Sequence, residues 1–158
     1  MKLIKRILIT GLVLAGMPAY SATKTTNFQV TATVNDVCVI SAVDLAFGQY
    51  DPTTGTANDS TSTVTVTCTL STAYDIGLSS GLATGATSAT RQMGDELNYS
   101  MFGEPTRTTN WDNTGGTNTV TGTGTGLPIS HIVYGRIPGS QIISAGSYSD
   151  TVTVTLSY

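Results

Sequence analysis

Apolar and polar residues alternate one by one in several separate stretches of this chain, the spacing of extended strands that turn one face to a core. From Phe28 to Val34, the side chains of Phe28, Val30, Ala32 and Val34 fall on one side, with Gln29, Thr31 and Thr33 on the other. Val37 to Ile40 predicts a short second strand, and Leu45 and Phe47 a third, closed by Gly48 and the Asp51-Pro52 turn. Residues 53 to 62 are polar without a period and predict a loop. Val64, Val66, Cys68 and Leu70 then alternate with Thr65, Thr67 and Thr69. Tyr74, Ile76 and Leu78 form the next strand, stopped at Ser79-Ser80-Gly81, and Leu97, Tyr99 and Met101 another. Residues 106 to 116 predict a long loop, and the Thr/Gly stretch 117 to 126 an irregular edge or turn. Ile129 to Ile137 is an apolar strand ended by Pro138-Gly139. In the last stretch Val152, Val154, Leu156 and Tyr158 alternate with Thr151, Thr153, Thr155 and Ser157. Some seven short strands separated by turn signals predict an all-β, immunoglobulin-like β-sandwich, with a barrel as the alternative.

Composition strengthens this reading. Thr, Ser, Gly and Asn dominate while Lys, Glu and Leu are scarce. Thr and Val suit a pleated, half-buried surface, and Gly and Asn suit turns. The start of the chain stands apart. Lys2, Lys5 and Arg6 precede the uncharged apolar run Ile7 to Met17, then Pro18 and the small residues Ala19, Ser21 and Ala22. These are the parts of a secretory signal peptide, expected over residues 1–21, and the run falls short of the ~20 residues of a membrane-spanning helix. Removing it leaves four basic against ten acidic residues, a net of −6. Such a surface excludes phosphate-backbone recognition, so no nucleic acid is expected as a partner, and no stable membrane insertion. The remaining length suits one domain.

Two cysteines, Cys38 and Cys68, in an exported chain predict a disulfide. The loop of about thirty residues it closes is worth ~3–4 kcal/mol on the chain-entropy model. A metal site is the weaker reading, because two thiols cannot complete a tetrahedron alone. No cofactor is expected.

Catalytic chemistry does not assemble. The single histidine, His131, follows Ser130 in a predicted strand, where successive side chains point to opposite faces and cannot pair as base and nucleophile. Gly122-Thr123-Gly124-Thr125-Gly126 lacks the Lys and helix of a phosphate loop. Asp112-Asn113-Thr114-Gly115 lacks the bidentate Glu of a calcium loop. Arg91, Arg107 and Arg136 are too sparse for a basic patch and are expected to form surface ion pairs. The chain is expected not to be an enzyme. A surface adhesin or coat protein that binds a glycan without polymerising is the alternative, with Trp111 and Tyr50 as stacking residues.

Several of these segments resemble the spore coat protein U domain family. They are Asn27 to Val34, Cys38, Leu45-Ala46-Phe47-Gly48-Gln49-Tyr50-Asp51-Pro52 and Val64-Thr65-Val66-Thr67-Cys68. Leu97 to Phe102, Val133 to Gln141 and Ala145 to Val154 continue the likeness, most closely in the last third. That family includes subunits of archaic chaperone–usher pili, so the resemblance implies a pilus subunit exported through the periplasm to the cell surface, supporting adhesion or biofilm formation. Its implied partners are a periplasmic chaperone, an outer-membrane usher and neighbouring pilin subunits.

The resemblance further implies a sandwich lacking its final strand, which a partner supplies. Residues 22–36 are then an extension whose Phe28, Val30, Ala32 and Val34 form the donor strand, and residues 37–158 the sandwich. Val152, Val154, Leu156 and Tyr158 are expected to border the acceptor groove. An alternating segment at a mature N-terminus frays unless something pins it, and an unpaired edge strand invites another chain. Taken without the family, Phe28 to Val34 fits an ordinary first strand equally well. Only three residues separate Val34 from Cys38, so a donated strand leaves its own domain at once.

Overall fold

The computed structural model describes residues 20–94 and 96–158; the expected signal peptide falls almost wholly outside them. The chain divides into two units, Met1–Thr33 and Val34–Tyr158. In the first, residues 20–33 carry no strand and are exposed throughout.

Among its described residues the second unit holds eight strands: β1 (Cys38–Ala42), β2 (Asn58–Cys68), β3 (Ala73–Leu78), β4 (Arg91–Met93), β5 (Leu97–Phe102), β6 (Val120–Thr123), β7 (Ile129–Ile137) and β8 (Val154–Ser157). They form two sheets, one in the order β1-β2-β7-β5-β4 and one in the order β6-β3-β8. Every strand pair is antiparallel. Val64, Val66, Val133, Ile137, Leu97, Tyr99 and Met101 of the larger sheet are buried in one cluster with Tyr74, Ile76 and Leu78 of the smaller. Two open sheets facing across a shared core make a sandwich and rule out the barrel. Cys38 and Cys68 stand directly opposite each other in the β1–β2 ladder and are joined by a disulfide.

Leu70, expected to share the inward face of Val64, Val66 and Cys68, lies past the end of β2 and is exposed. Three further departures from the periodicity have physical causes. Residues 58 to 62, predicted as loop, belong to β2, which pairs with β7 from Asn58↔Ile137 to Val66↔Ile129. Their inward side chains are polar because they bond to main chain. Ser62 and Ser60 donate to the carbonyls of Val43 (2.5 Å) and Ala46 (2.6 Å), and Asn58 to those of Phe47 and Gln49. The strand predicted at Leu45 and Phe47 is therefore replaced by an irregular segment, 43–50, that lies along β2 with side chains in place of a ladder, and Leu45 and Phe47 still turn inward. The third departure is β4, three residues long and too short to show a period.

Gly135 of β7 makes room for that segment. A Cβ there would lie 2.7 Å from Leu45 Cδ2 and 2.7 Å from Phe47 Cζ. Any larger residue would require both side chains to shift.

Candidate functional site

The two sheets are closed against each other on the β6 side and open on the β8 side. The opening is a groove of about 1460 Å³. Leu45, Phe47 and Tyr50 line one flank, Ile143, Tyr148, Val152 and Val154 the other, and Leu97, Tyr99, Met101 and Ile137 the floor. Its volume exceeds the ~300–1,000 Å³ of small-molecule pockets. Among the described residues β8 pairs only with β3, and β1 only with β2. The edge of each strand that borders the gap is thus without a ladder partner.

Polar contacts fix the flanks. Tyr99 of β5 donates its hydroxyl to Asp150 Oδ2 at 2.7 Å, tying the larger sheet to the stretch before β8. Burial, and then this bond to a carboxylate, pushes the Tyr99 phenol far above its ordinary pKa, so it remains a donor. Asp150 Oδ1 accepts from the Leu82 amide at 2.9 Å. Gly81, at φ 91°, is required beside it, because a Cβ there would collide with the Asp150 carboxylate. Tyr50 donates to the Pro138 carbonyl at 2.7 Å, holding the far end of its flank.

Of the four residues expected to border a groove, Val152 and Val154 line it. Leu156 does not: it sits opposite Ile76 in the β3–β8 ladder and packs on the closed core. Tyr158 lies beyond the ladder, 63% exposed. The four alternating residues of the expected donor segment are all exposed: Phe28 at 86%, Val30 and Val34 at 84%, and Ala32 with them.

Two sequence expectations are corrected. Trp111, a candidate for ligand stacking, is fully buried and donates its indole N–H to the Ile76 carbonyl at 2.7 Å. Arg91, expected in a surface ion pair, is fully buried. Its guanidinium donates to the carbonyls of Leu78, Ser79, Ser88 and Trp111. Carbonyls freed where β3 ends require a multidentate donor, and Arg supplies five N–H groups in one plane. Arg107 and Arg136 do meet a carboxylate, that of Asp59, at 3.5 and 2.7 Å.

His131 shares a 2.9 Å hydrogen bond with the Tyr74 hydroxyl and stands edge-on to its ring. Among the described residues, no three His, Cys, Asp or Glu side chains gather as a metal site, and no helix is long and apolar enough to cross a membrane.

A two-sheet antiparallel sandwich with an open groove along one side is the class of protein this geometry defines. The chain belongs to the Spore Coat Protein U domain family, whose model matches residues 24–155. It is 37% identical to Protein U of Myxococcus xanthus over 159 aligned positions, covering 89% of this chain and 88% of that protein. In fold it is similar to a chain in the crystal structure of the CsuC–CsuE chaperone–tip adhesion subunit pre-assembly complex, from the archaic chaperone–usher Csu pili of Acinetobacter baumannii. The TM-score is 0.59 at 24% identity, over 80% of this chain and 40% of that one. This chain thus spans well under half of that neighbour, and the likeness is one of fold.

Proposed function

We propose that this chain is a structural subunit of a surface pilus, assembled by the chaperone–usher route through donor-strand exchange. The observation that carries the reading is the open groove on the β8 side of the sandwich, with apolar side chains from both flanks set among polar ones. A family that the chain shares along most of its length, and a pilus-complex chain with the same fold, support it. In this reading residues 22–36 of one subunit fill the groove of the next. A periplasmic chaperone fills it beforehand, and an outer-membrane usher oversees the exchange on the way to the cell surface, where the fibre serves adhesion or biofilm formation.

The chemistry of the two parts matches. Phe28, Val30, Ala32 and Val34 present one apolar face to the groove while Gln29, Thr31 and Thr33 face solvent. Burying Phe28, Val30 and Val34 contributes roughly 5–9 kcal/mol before the tail's ordering cost. Main-chain bonds to the free edges of the gap add to this.

A ladder of multimers on a non-boiled gel is the expected signature, and Val30→Asp is the decisive variant. A carboxylate buried without a partner costs several kcal/mol, so the ladder should vanish. The variant subunit itself should fold like the wild type, because Val30 is exposed at home. A Val30→Asp subunit that fails to fold in its chaperone complex would make the segment an ordinary strand of its own domain and end this reading. The competing role, a glycan-binding adhesin or coat protein that does not polymerise, loses Trp111 to burial and keeps only the half-buried Tyr50 of its two stacking candidates.

A further inference from the structure

We propose that consecutive copies of this chain also touch body to body, through an apolar pole on one subunit and the groove end around Ile142 on the next. The proposal rests on the strand-exchange reading and adds to it a surface outside the donor strand.

The constraint is the shortness of the link. Thr72 donates its hydroxyl to Asp36 Oδ1 at 2.7 Å. The Val37 amide donates to Thr69 Oγ1 at 3.2 Å, and the Thr69 amide to the Val37 carbonyl at 3.0 Å. Asp36 and Val37 are thereby fastened to the sandwich. From Asp36 back to Val34, the last apolar residue of the donor segment, the chain reaches at most ~7 Å. Once Val34 is seated in a neighbour's groove, the donor's own sandwich has no room to stand away from it.

The pole held at that distance is apolar. Val37, Leu70 and Leu127 are 54%, 75% and 68% exposed. Main-chain bonds gather them: Thr69 to Val37, Ser71 to Gly124 and Gly126 to Cys68. Exposed large apolar side chains grouped at the point where the extension leaves the fold are what a contact there requires.

Topology selects the opposing surface. β8 pairs with β3 from Leu78↔Val154 to Asp75↔Ser157, so it runs toward the pole where the extension leaves. A donor antiparallel to β8 carries its C-terminal end to the opposite end of the groove. A parallel donor would bring its body to the acceptor's own exit pole, where the acceptor's extension must leave toward the next subunit. Head-to-tail growth therefore favours the antiparallel course. At that opposite end Ile142 is fully exposed, next to Ile143 on the groove flank, and Gln141 is anchored to Asn98 and Tyr50.

The test uses fibres grown from the full chain with a photoreactive phenylalanine at position 142. Cross-links are expected to residues 69–71 or 124–127 of the adjoining subunit, read by mass spectrometry of excised ladder bands. A Leu70→Asp/Leu127→Asp double variant, altered only at exposed positions, should still form ladders but with rungs appearing about tenfold more slowly, or ~1.4 kcal/mol of lost contact. Wild-type ladders with cross-links elsewhere, or a double variant that matches the wild type, would overturn the pole contact and leave strand exchange standing. Absence of any wild-type ladder would overturn both.

Discussion

On the β6 side of the sandwich the chain closes its own core. The loop after β5 returns to place Trp111 between the sheets, its amide bonded to the Met101 carbonyl at 2.8 Å and its indole to Ile76 of the opposite sheet. Arg91 collects the carbonyls left where β3 ends. On the β8 side nothing comparable arrives. Leu45, Phe47, Val152 and Val154 turn inward across a gap, and polar ties at its margin run from Tyr99 to Asp150 and from Tyr148 to Glu96. The same two sheets thus carry one edge finished by buried hydrogen bonds and one left to apolar flanks. The difference separates two tasks: the closed edge is packed and bonded from within the chain, and the open edge is the one that the proposed strand exchange would fill.

The sharpest way to break that division is to damage the closed edge. Trp111→Ala removes a filled volume between the sheets and orphans the Ile76 carbonyl, so unfolding by urea should show a loss of about 3–5 kcal/mol. In a domain whose whole stability is roughly 5–15 kcal/mol, the subunit is then barely folded. Val152→Ala on the groove flank should cost far less, because its side chain faces a gap rather than packed neighbours. Equal losses at the two positions would refute the contrast.

A smaller effect is expected from the Cys38–Cys68 bond, which fastens β1 to β2 beside the open edge. Replacing both cysteines with Ala should lower stability by ~3–4 kcal/mol on the chain-entropy model. The comparison predicts more than a lower midpoint. Hydrogen exchange should rise in β1 and segment 43–50, while the Trp111 amide stays protected. Uniform loss of protection would mean that the two edges unfold as one.

Much of this arrangement is legible in the residues, and the illegible parts share a cause. Strands that turn apolar residues toward a core declared themselves: β3, β5 and β7 stand where Tyr74-Ile76-Leu78, Leu97-Tyr99-Met101 and Ile129 to Ile137 place them. The disulfide followed from two cysteines in an exported chain. What alternation does not carry is polar side chains recruited for main-chain bonding. Asn58, Ser60 and Ser62 read as loop because their inward faces bond carbonyls. Arg91 read as surface because nothing in its neighbours signals that three carbonyls from other segments converge on it beside that of Ser88. Trp111, set among Asn, Asp and Gly, looked like an exposed aromatic and is the plug of the closed edge. The groove itself was legible only in part. Val152 and Val154 border it, but Leu156 continues the same period onto closed core, and period alone does not say where a neighbouring strand stops.

The smallest effect expected separates the two tyrosine ties between the sheets. Tyr99–Asp150 crosses beside the groove, and Tyr74–His131 crosses away from it. Burial holds the Tyr99 phenol protonated throughout the neutral range, so that tie is unchanged between pH 5 and 8. Burial also lowers the His131 pKa, so the folded protein takes up the imidazole proton less readily than the unfolded chain does. The sign follows from linkage. Below the unfolded value near 6.5 the unfolded state binds more protons, and stability falls as pH falls until the folded histidine is itself protonated. Above that value the contribution is fully present. The slope cannot exceed about 1.4 kcal/mol per pH unit, and partial exposure of the ring keeps it lower. Since His131 is the chain's single histidine, a His131→Gln subunit should lose most of the change in urea midpoint between pH 7.5 and pH 5.5. Below that window Asp59 takes over, its carboxylate held under the usual range first by the Arg136 bond, so both proteins should weaken together as acidity reaches it. An unaltered pH profile in His131→Gln would show that the tie away from the groove is as insensitive to protons as the one beside it.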